Sequence, residues 1–382
     1  MKSFRLYAGK TTLYFGPNGI ERLAEHMKGV SRAFIVTSKN AARISGALKD
    51  VEKVLKEREI ECQTFDKVFP NPTTKLVDEM AGRIWSFKAD TVIAIGGGSV
   101  IDSAKLASVV ACGGGKAEEY VKGSREPVMS ISLYAINLTH GTGTEVDGYA
   151  VATIEETKEK LGNRIAYPDV SVDDPAYLLT LPKKHTIYTA LDALYHAIEA
   201  STTVDSSPYS GMLSEEVVRL MVKWLPTAVR EPKSLEARYW LLYASMLAGI
   251  AIDNARTHII HGLEHALSGL RPKLAHGAGL AIIGPKLVRY TYRARPEVLS
   301  RVLKPLAPDL RGIEEEGEDV EKVLEEFQRS VGFEERLSDY GLSENDVDAA
   351  IGLVNKSLKW SLEEAPFEPT DKILRDVLLK SL

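Results

Sequence analysis

Cysteine is nearly absent. Cys62 and Cys112 are the only two in 382 residues, which excludes a disulfide framework and makes a reducing cytoplasm the expected setting. Long apolar runs are missing as well. The stretch 243–252 stops at Asp253, well short of the roughly 20 residues that a bilayer span needs, so no membrane association is expected. No apolar segment follows the opening Met-Lys-Ser-Phe-Arg, and we expect no secretion leader. A basic excess is lacking too: 48 Lys and Arg against 53 Asp and Glu give a net charge of −5. Those charges are interspersed, which speaks against a nucleic-acid partner. The acidic patch 314–319 reads as a solvated turn. Glutamine occurs only at positions 63 and 328 while Lys, Arg and Glu abound, a bias that suggests a thermophile. Neither a Walker motif nor Gly-x-Gly-x-x-Gly is present, and no repeat or low-complexity segment interrupts the chain.

What is present is the composition of an ordinary globular protein, 44% apolar and 26% charged, with length enough for two domains. Residues 4–16 read as strands, 20–27 as helix, 33–37 as a buried strand, 41–58 as helix and 62–65 as strand. Pro70-Asn71-Pro72-Thr73 is a loop before a helix over 74–87, and 91–95 is the clearest strand of the chain. This alternation predicts a doubly wound α/β domain. The 91–95 strand runs into Gly96-Gly97-Gly98-Ser99. Glycines between a buried strand and a helix let backbone amides approach a diphosphate. A second strand, 131–138, ends in Thr139-His140-Gly141-Thr142-Gly143-Thr144-Glu145 and would face the same crevice at the strands' carboxyl ends. On the helix that follows Gly96–Ser99, Asp102 and Lys105 have the spacing of an ordinary ion pair. Residues 149–179 read as a β excursion.

Beyond Pro182 the periodicity is helical, with breaks expected at 206–208 and at Pro226, Pro232, Pro272, Pro285 and Pro308. The expected division is therefore an α/β dinucleotide-binding domain, 1–180, followed by an all-α domain, 181–382. Five of the eight histidines (His196, His258, His261, His265 and His276) fall between Asp192 and His276, among apolar neighbours. Asp192 and His196 stand one helical turn apart, as do His261 and His265. Buried unpaired polar groups are costly, so a shared divalent metal is the economical reading. Carboxylate plus imidazole suits Fe(II) or Zn(II) better than Mg(II) or Ca(II). A zinc-protease motif is excluded, because Gly262 follows His261 where that motif needs Glu.

Taken together, Gly96–Lys105, the Gly141–Glu145 loop, Asp192-Ala-Leu-Tyr-His196-Ala-Ile-Glu-Ala200 and His261…His276, with Pro70–Thr73 and Asp174-Pro175, resemble the iron-containing (group III) alcohol dehydrogenase family. The resemblance spans most of the chain in the right order. It implies the two-domain architecture shared with dehydroquinate synthase, an α/β N-terminal dinucleotide-binding domain plus an all-α C-terminal domain. It also implies metal ligation by Asp192, His196, His261 and His276, with His265 a non-ligand histidine that faces nicotinamide and relays a proton. Asn71, Gly97, Gly98, Ser99, Thr139, Thr142 and Lys160 would bind the cofactor, with Ser38 and Asp102 beside them. The implied chemistry is hydride transfer between NAD(P) and a small alcohol or aldehyde at an Fe(II) or Zn(II) centre, in a homodimer or larger homo-oligomer.

This chain departs from the family in places. The carboxylate expected after Val36-Thr37 is replaced by Ser38 and Lys39, with Arg43 nearby, which favours NADP(H) over NAD(H). His140 and Asp147, and Asp253, Arg256, Thr257 and His258 in the second domain, suggest a polar substrate. The rival readings are a dehydroquinate synthase-like cyclisation, for which Arg256, Arg271 and Lys273 could hold a phosphate, a polyol dehydrogenase, and a cofactor-binding protein that has lost turnover. Tyr195, beside the ligands, has no role that the sequence reveals.

Overall fold

The computed structural model describes Leu6 and residues 9–382. The parts of the expected N-terminal strand at residues 4, 5, 7 and 8 lie outside the described residues. Eight strands are present among them. They are β1 (Thr12–Phe15), β2 (Arg32–Ser38), β3 (Glu61–Val68), β4 (Thr91–Gly96), β5 (Ser132–Asn137), β6 (Tyr149–Ile154), β7 (Glu159–Arg164) and β8 (Val170–Asp173). Six of them form one parallel sheet in the order β1-β8-β5-β4-β2-β3. Every residue of β4 is buried, as its unbroken apolar run requires of a strand covered on both faces.

The chain goes from β2 outward to β3, then returns to place β4 on the other side of β2. That reversal makes a switch point, and the crevice outside the carboxyl ends of β2 and β4 is where such sheets take ligands. Ser38 ends β2, and Gly96 ends β4 with Gly97 capping the next helix, so both expected cofactor elements stand at that crevice.

The excursion expected over 149–179 divides in two. β6 and β7 form an antiparallel hairpin, while β8 returns to the main sheet between β1 and β5. The helix expected over 41–58 is two, Ala41–Ser45 and Ala47–Glu57. Gly46 separates them at φ +89°, a left-handed conformation that glycine adopts without steric cost.

After Pro182 the described secondary structure is helical. Two expected breaks do not occur: Pro226 lies inside helix Pro208–Arg230 and Pro285 inside helix His276–Ala294. A proline forfeits one backbone bond and crowds the preceding turn. Pro226 is already in its helix's last turns, and Pro285 is buried in a helix packed against Lys183–Thr202 and Gly317–Ser330. The 314–319 patch is also not simply a solvated turn. Glu316 is buried and accepts hydrogen bonds from the Arg311 and Gly312 amides and from Tyr292 Oη.

The chain forms two compact units. Among the described residues, one holds 9–182 together with Pro232–Leu242, and the other holds Leu6 and Lys183–Glu231 with Tyr243–Leu382. A single cut near 180 does not describe this, because helix Leu235–Ala255 begins in the first unit and ends in the second. No helix among the described residues is long and apolar enough to cross a membrane.

Candidate metal centre and nucleotide loops

In the helical unit, helix Lys183–Thr202 is buried almost continuously from Thr186 onward. Its polar residues Asp192, His196 and Glu199 are spaced four and three apart, so they share one buried stripe. Helices Ile259–Leu270 and His276–Ala294 bring the other histidines to it, and glycines permit the close approach. A Cβ at Gly277 would lie 2.0 Å from the Tyr188 carbonyl oxygen, while one at Gly262 would lie 2.0 Å from Ser361 Oγ on the short helix Lys359–Glu363 packed behind.

The three imidazoles converge on one oxygen. Asp192 Oδ1 lies 3.5 Å from His196 Nδ1, 3.6 Å from His261 Nε2 and 3.7 Å from His276 Nε2. Asp192 and His261 are each 3% exposed, and Asp192 Oδ1 and His261 Nε2 make no hydrogen bond among the described residues. Orphaned polar atoms at such depth carry a penalty of several kcal/mol unless something joins them. Separations near 3.6 Å are those of neighbouring donors that each stand about 2.0–2.2 Å from one divalent ion. Asp192, His261 and His276, whose donor atoms all lie within 4.8 Å of one another, therefore fit a metal, with His196 beside Asp192 as the fourth expected donor. Burial would raise the Asp192 carboxyl, but the imidazoles of His196, His276 and His261 outweigh it and bring it to about 2. Asp192 is thus a carboxylate, the form that ligates.

His265 also sits here, 7% exposed, with its ring 5.5 Å from that of His276. Two buried carboxylates that the sequence analysis does not single out reach two of the candidate ligands from behind, Glu199 at His261 Nδ1 and Glu264 at His276 Nδ1. Their signal was present in the sequence as a repeated His-x-x-Glu, at 196–199 and 261–264. Tyr195 faces away from the cluster. Its hydroxyl accepts a bond from Gln328 Nε2 at 2.9 Å, and its ring packs where a Cβ of Gly284 would stand.

In the α/β unit, the expected cofactor residues come together as two touching loops. A Cβ on Gly97 would lie 2.6 Å from Thr139 Cγ2, and one on Gly98 would lie 2.6 Å from Thr142 Cγ2. The glycines are needed because both threonines occupy that space. Gly97 caps helix Gly98–Gly113, whose first amides, Ser99 included, point toward the crevice. Asn71 adopts φ +55° in its loop. That loop joins the hairpin where Thr73 bridges Thr153, which in turn stands opposite Lys160.

Asp102 accepts hydrogen bonds from Thr144 Oγ1 at 2.7 Å and from the Val151 amide at 3.0 Å. It is held as a brace of the second loop. The simple Asp102–Lys105 pair is replaced by a relay. Lys105, fully buried, donates to Thr144 Oγ1, to Asp147 Oδ1 and to the carbonyls of Asp147 and Tyr149.

The residues behind the polar-substrate expectation are largely engaged within the protein. His140 Nε2 lies 3.1 Å from Arg238 Nη1, and burial together with the Arg238 charge lowers its imidazole to about 3, so it is neutral. Asp147 holds Lys105. His258 stands between Glu199 and Thr202, and Arg256 pairs with Glu364 at 2.9 Å.

A nucleotide-type parallel sheet in one unit and a carboxylate-and-imidazole donor set in the other are the two parts of a metal-dependent dehydrogenase. Comparison with known proteins agrees. The family described as "Iron-containing alcohol dehydrogenase" matches residues 10–175, and "Fe-containing alcohol dehydrogenase family, C-terminal" matches residues 186–375. The long-chain primary alcohol dehydrogenase AdhA of Thermoanaerobacter ethanolicus is 42% identical, over 97% of this chain and 96% of that protein. The 1,3-propanediol dehydrogenase of Klebsiella pneumoniae is 31% identical, over 87% and 88%. Among solved structures, alcohol dehydrogenase ADH/D1 of a halo-thermophilic archaeon from a Red Sea brine pool superposes with a TM-score of 0.94 at 26% identity, over the whole of both chains. The chain belongs to the iron-containing alcohol dehydrogenase family and is an oxidoreductase acting on CH–OH groups.

Proposed function

We propose that the protein interconverts a primary alcohol and its aldehyde with NADP(H) in preference to NAD(H), using Fe(II) held by Asp192, His196, His261 and His276. The observation that carries this reading is the convergence of three imidazole nitrogens on the orphaned Asp192 Oδ1. When bound, the divalent ion supplies Lewis acidity toward the substrate oxygen and the nicotinamide supplies the hydride exchange.

The protein's own residues do the remainder. Gly97, Gly98 and Ser99 present helix-terminal amides to the diphosphate, and Thr139 and Thr142 wall it. Asn71 and Lys160 flank the same loops, and Asp102 keeps the second loop in shape. His265, beside His276, holds and passes the proton that leaves or enters the alcohol. Ser38 offers a hydroxyl where a carboxylate would repel a 2′-phosphate. Lys39 and Arg43, exposed just beyond it, make no ion pair among the described residues and supply charge for that phosphate. Relatives named for NAD(H), such as the methanol dehydrogenase of Bacillus methanolicus at 28% identity, make this preference the distinctive part of the proposal.

The internal engagement of His140, Asp147, His258 and Arg256 leaves the polar substrate little support. We therefore favour an alcohol with an apolar chain, as the name of the 42% identical relative suggests. Two exposed unpaired cysteines agree with a cytoplasmic setting, and a homodimer is the working assembly.

The test is oxidation of NADPH and of NADH by anaerobic Fe(II)-loaded enzyme with aliphatic and polar aldehydes. Turnover with NADPH at a several-fold higher kcat/KM, lost in Asp192→Ala and His276→Ala, is the expected result. Equal or better use of NADH would remove the cofactor preference. Absence of any aldehyde reduction would remove the dehydrogenase reading in favour of a synthase-like or binding role.

A further inference from the structure

We propose that Glu199 and Glu264 are positioning residues of the metal centre, each fixing through Nδ1 the ligand histidine carried by the next ligand helix. The inference rests on the ligand assignment proposed above. Helix Lys183–Thr202 carries the ligands Asp192 and His196, and three residues after His196 it carries Glu199, whose Oε2 meets His261 Nδ1. Helix Ile259–Leu270 carries the ligand His261, and three residues after it Glu264, whose Oε2 meets His276 Nδ1. Helix His276–Ala294 begins at the last ligand. The spacing of three puts histidine and glutamate on one side of each helix, about one turn apart. Each of the first two helices thus provides both a donor for the metal and a carboxylate for the helix that follows.

The chemistry of imidazole gives this arrangement its use. A neutral histidine has one N–H, and a carboxylate accepts but cannot donate. Glu199 and Glu264 therefore select the tautomers with hydrogen on Nδ1, leaving the Nε2 lone pairs of His261 and His276 for the site. Those are the nitrogens that lie 3.6 and 3.7 Å from Asp192 Oδ1. A carboxylate behind the ring also limits its rotation and strengthens its basicity toward a metal.

Both glutamates are fully buried, so their charges are costly unless answered. Glu199 is answered further through Oε1, which accepts the Ile260 amide at 2.8 Å and lies 3.1 Å from His258 Nδ1. It therefore anchors the start of the second helix as well as the ring. For Glu264, a Cβ at Gly279 would lie 2.8 Å from its Cγ, so the third helix leaves room for this side chain.

The experiment compares Glu199→Gln and Glu264→Gln with the parent and with Asp192→Ala, all in the full chain. Glutamine keeps the size and an acceptor oxygen while removing the charge. Affinity for Co(II) and Zn(II) is measured by competition with a chelator, the visible spectrum of the Co(II) form is recorded, and the metal-free proteins are melted by circular dichroism. The expected result is metal binding about 10–100-fold weaker in both glutamine variants. A changed Co(II) spectrum and an unchanged metal-free melting curve complete it. Parental affinity and spectrum in both variants, with binding lost in Asp192→Ala, would overturn the positioning role alone. Parental binding in Asp192→Ala would overturn the ligand assignment beneath it. Should Glu199→Gln fail to fold, since it also holds the Ile260 amide, Glu264→Gln decides the question by the same two readouts.

Discussion

Lys105 gathers four acceptors at a place where water does not reach. Replacing it by methionine leaves the buried Asp147 carboxylate without its cation and the carbonyls of Asp147 and Tyr149 without the Lys105 donor. We expect a loss of about 3–5 kcal/mol in chemical denaturation, together with weaker cofactor binding, because Thr144 links Lys105 to the brace at Asp102. A different pair sets a dependence on pH. Glu145 and Asp173 are fully buried, and Glu145 Oε1 and Oε2 and Asp173 Oδ2 make no hydrogen bond among the described residues. Burial raises Glu145, reinforced by the Asp173 charge, and burial raises Asp173 against the Asn137 hydrogen bond. The folded protein thus keeps protons that the unfolded chain releases from about pH 4 upward, and stability falls as pH rises through that interval. Asp173→Asn is expected to flatten the fall when denaturation is followed from about pH 5 to 8. A slope equal to the parent's would show that the pair ionises as ordinary carboxyls do.

At the scale of elements, the glycines decide how closely the ligand helices approach. Gly277→Ala places a methyl 2.0 Å from the Tyr188 carbonyl, and backbone cannot yield as a side chain can. The third ligand helix must then move outward, taking His276 with it. The expected outcome is a melting temperature lowered by an amount equivalent to about 1–3 kcal/mol and a marked loss of bound metal. Gly97→Ala should instead clash with Thr139, weaken the cofactor at least tenfold and leave metal content unchanged, both measurable by titration. The helix Thr74–Phe87 and strand β4 were legible because apolar periodicity and flanking turn residues agreed there. The ligand helix was legible because Asp192 and His196 interrupt an apolar stripe one turn apart. Pro226 and Pro285 misled, since a proline marks a local cost while tertiary packing decides whether the helix continues. The return of β8 to the main sheet was illegible, because strand order depends on non-local pairing. Glu199 and Glu264 were hidden for another reason: a glutamate three residues after a histidine has the spacing of any solvated helix pair, and only burial distinguishes it.

On the scale of the whole molecule, each unit carries one of the two proposed ligand sites, so each ligand should leave its own footprint. Metal added to the apoprotein is expected to slow amide exchange chiefly in Lys183–Thr202, Ile259–Leu270 and His276–Ala294. A nucleotide is expected to protect Gly98–Gly113 and the 139–144 loop. Binding at a hundred times the dissociation constant stabilises the folded state by about 2.7 kcal/mol, ample for exchange to register by mass spectrometry. Uniform protection of the entire chain by either ligand would contradict this division. The helix Leu235–Ala255 bears on a more practical matter. Its start is built into the α/β unit, with Leu242 in that unit's core, Tyr239 edge-on to Phe15 and Arg238 buried beside His140. A gene fragment ending at residue 182 would express a nucleotide domain stripped of part of its own interior. Anyone wishing to dissect or transplant that domain must carry 232–242 along, spliced on as an appendage rather than left behind with the other half.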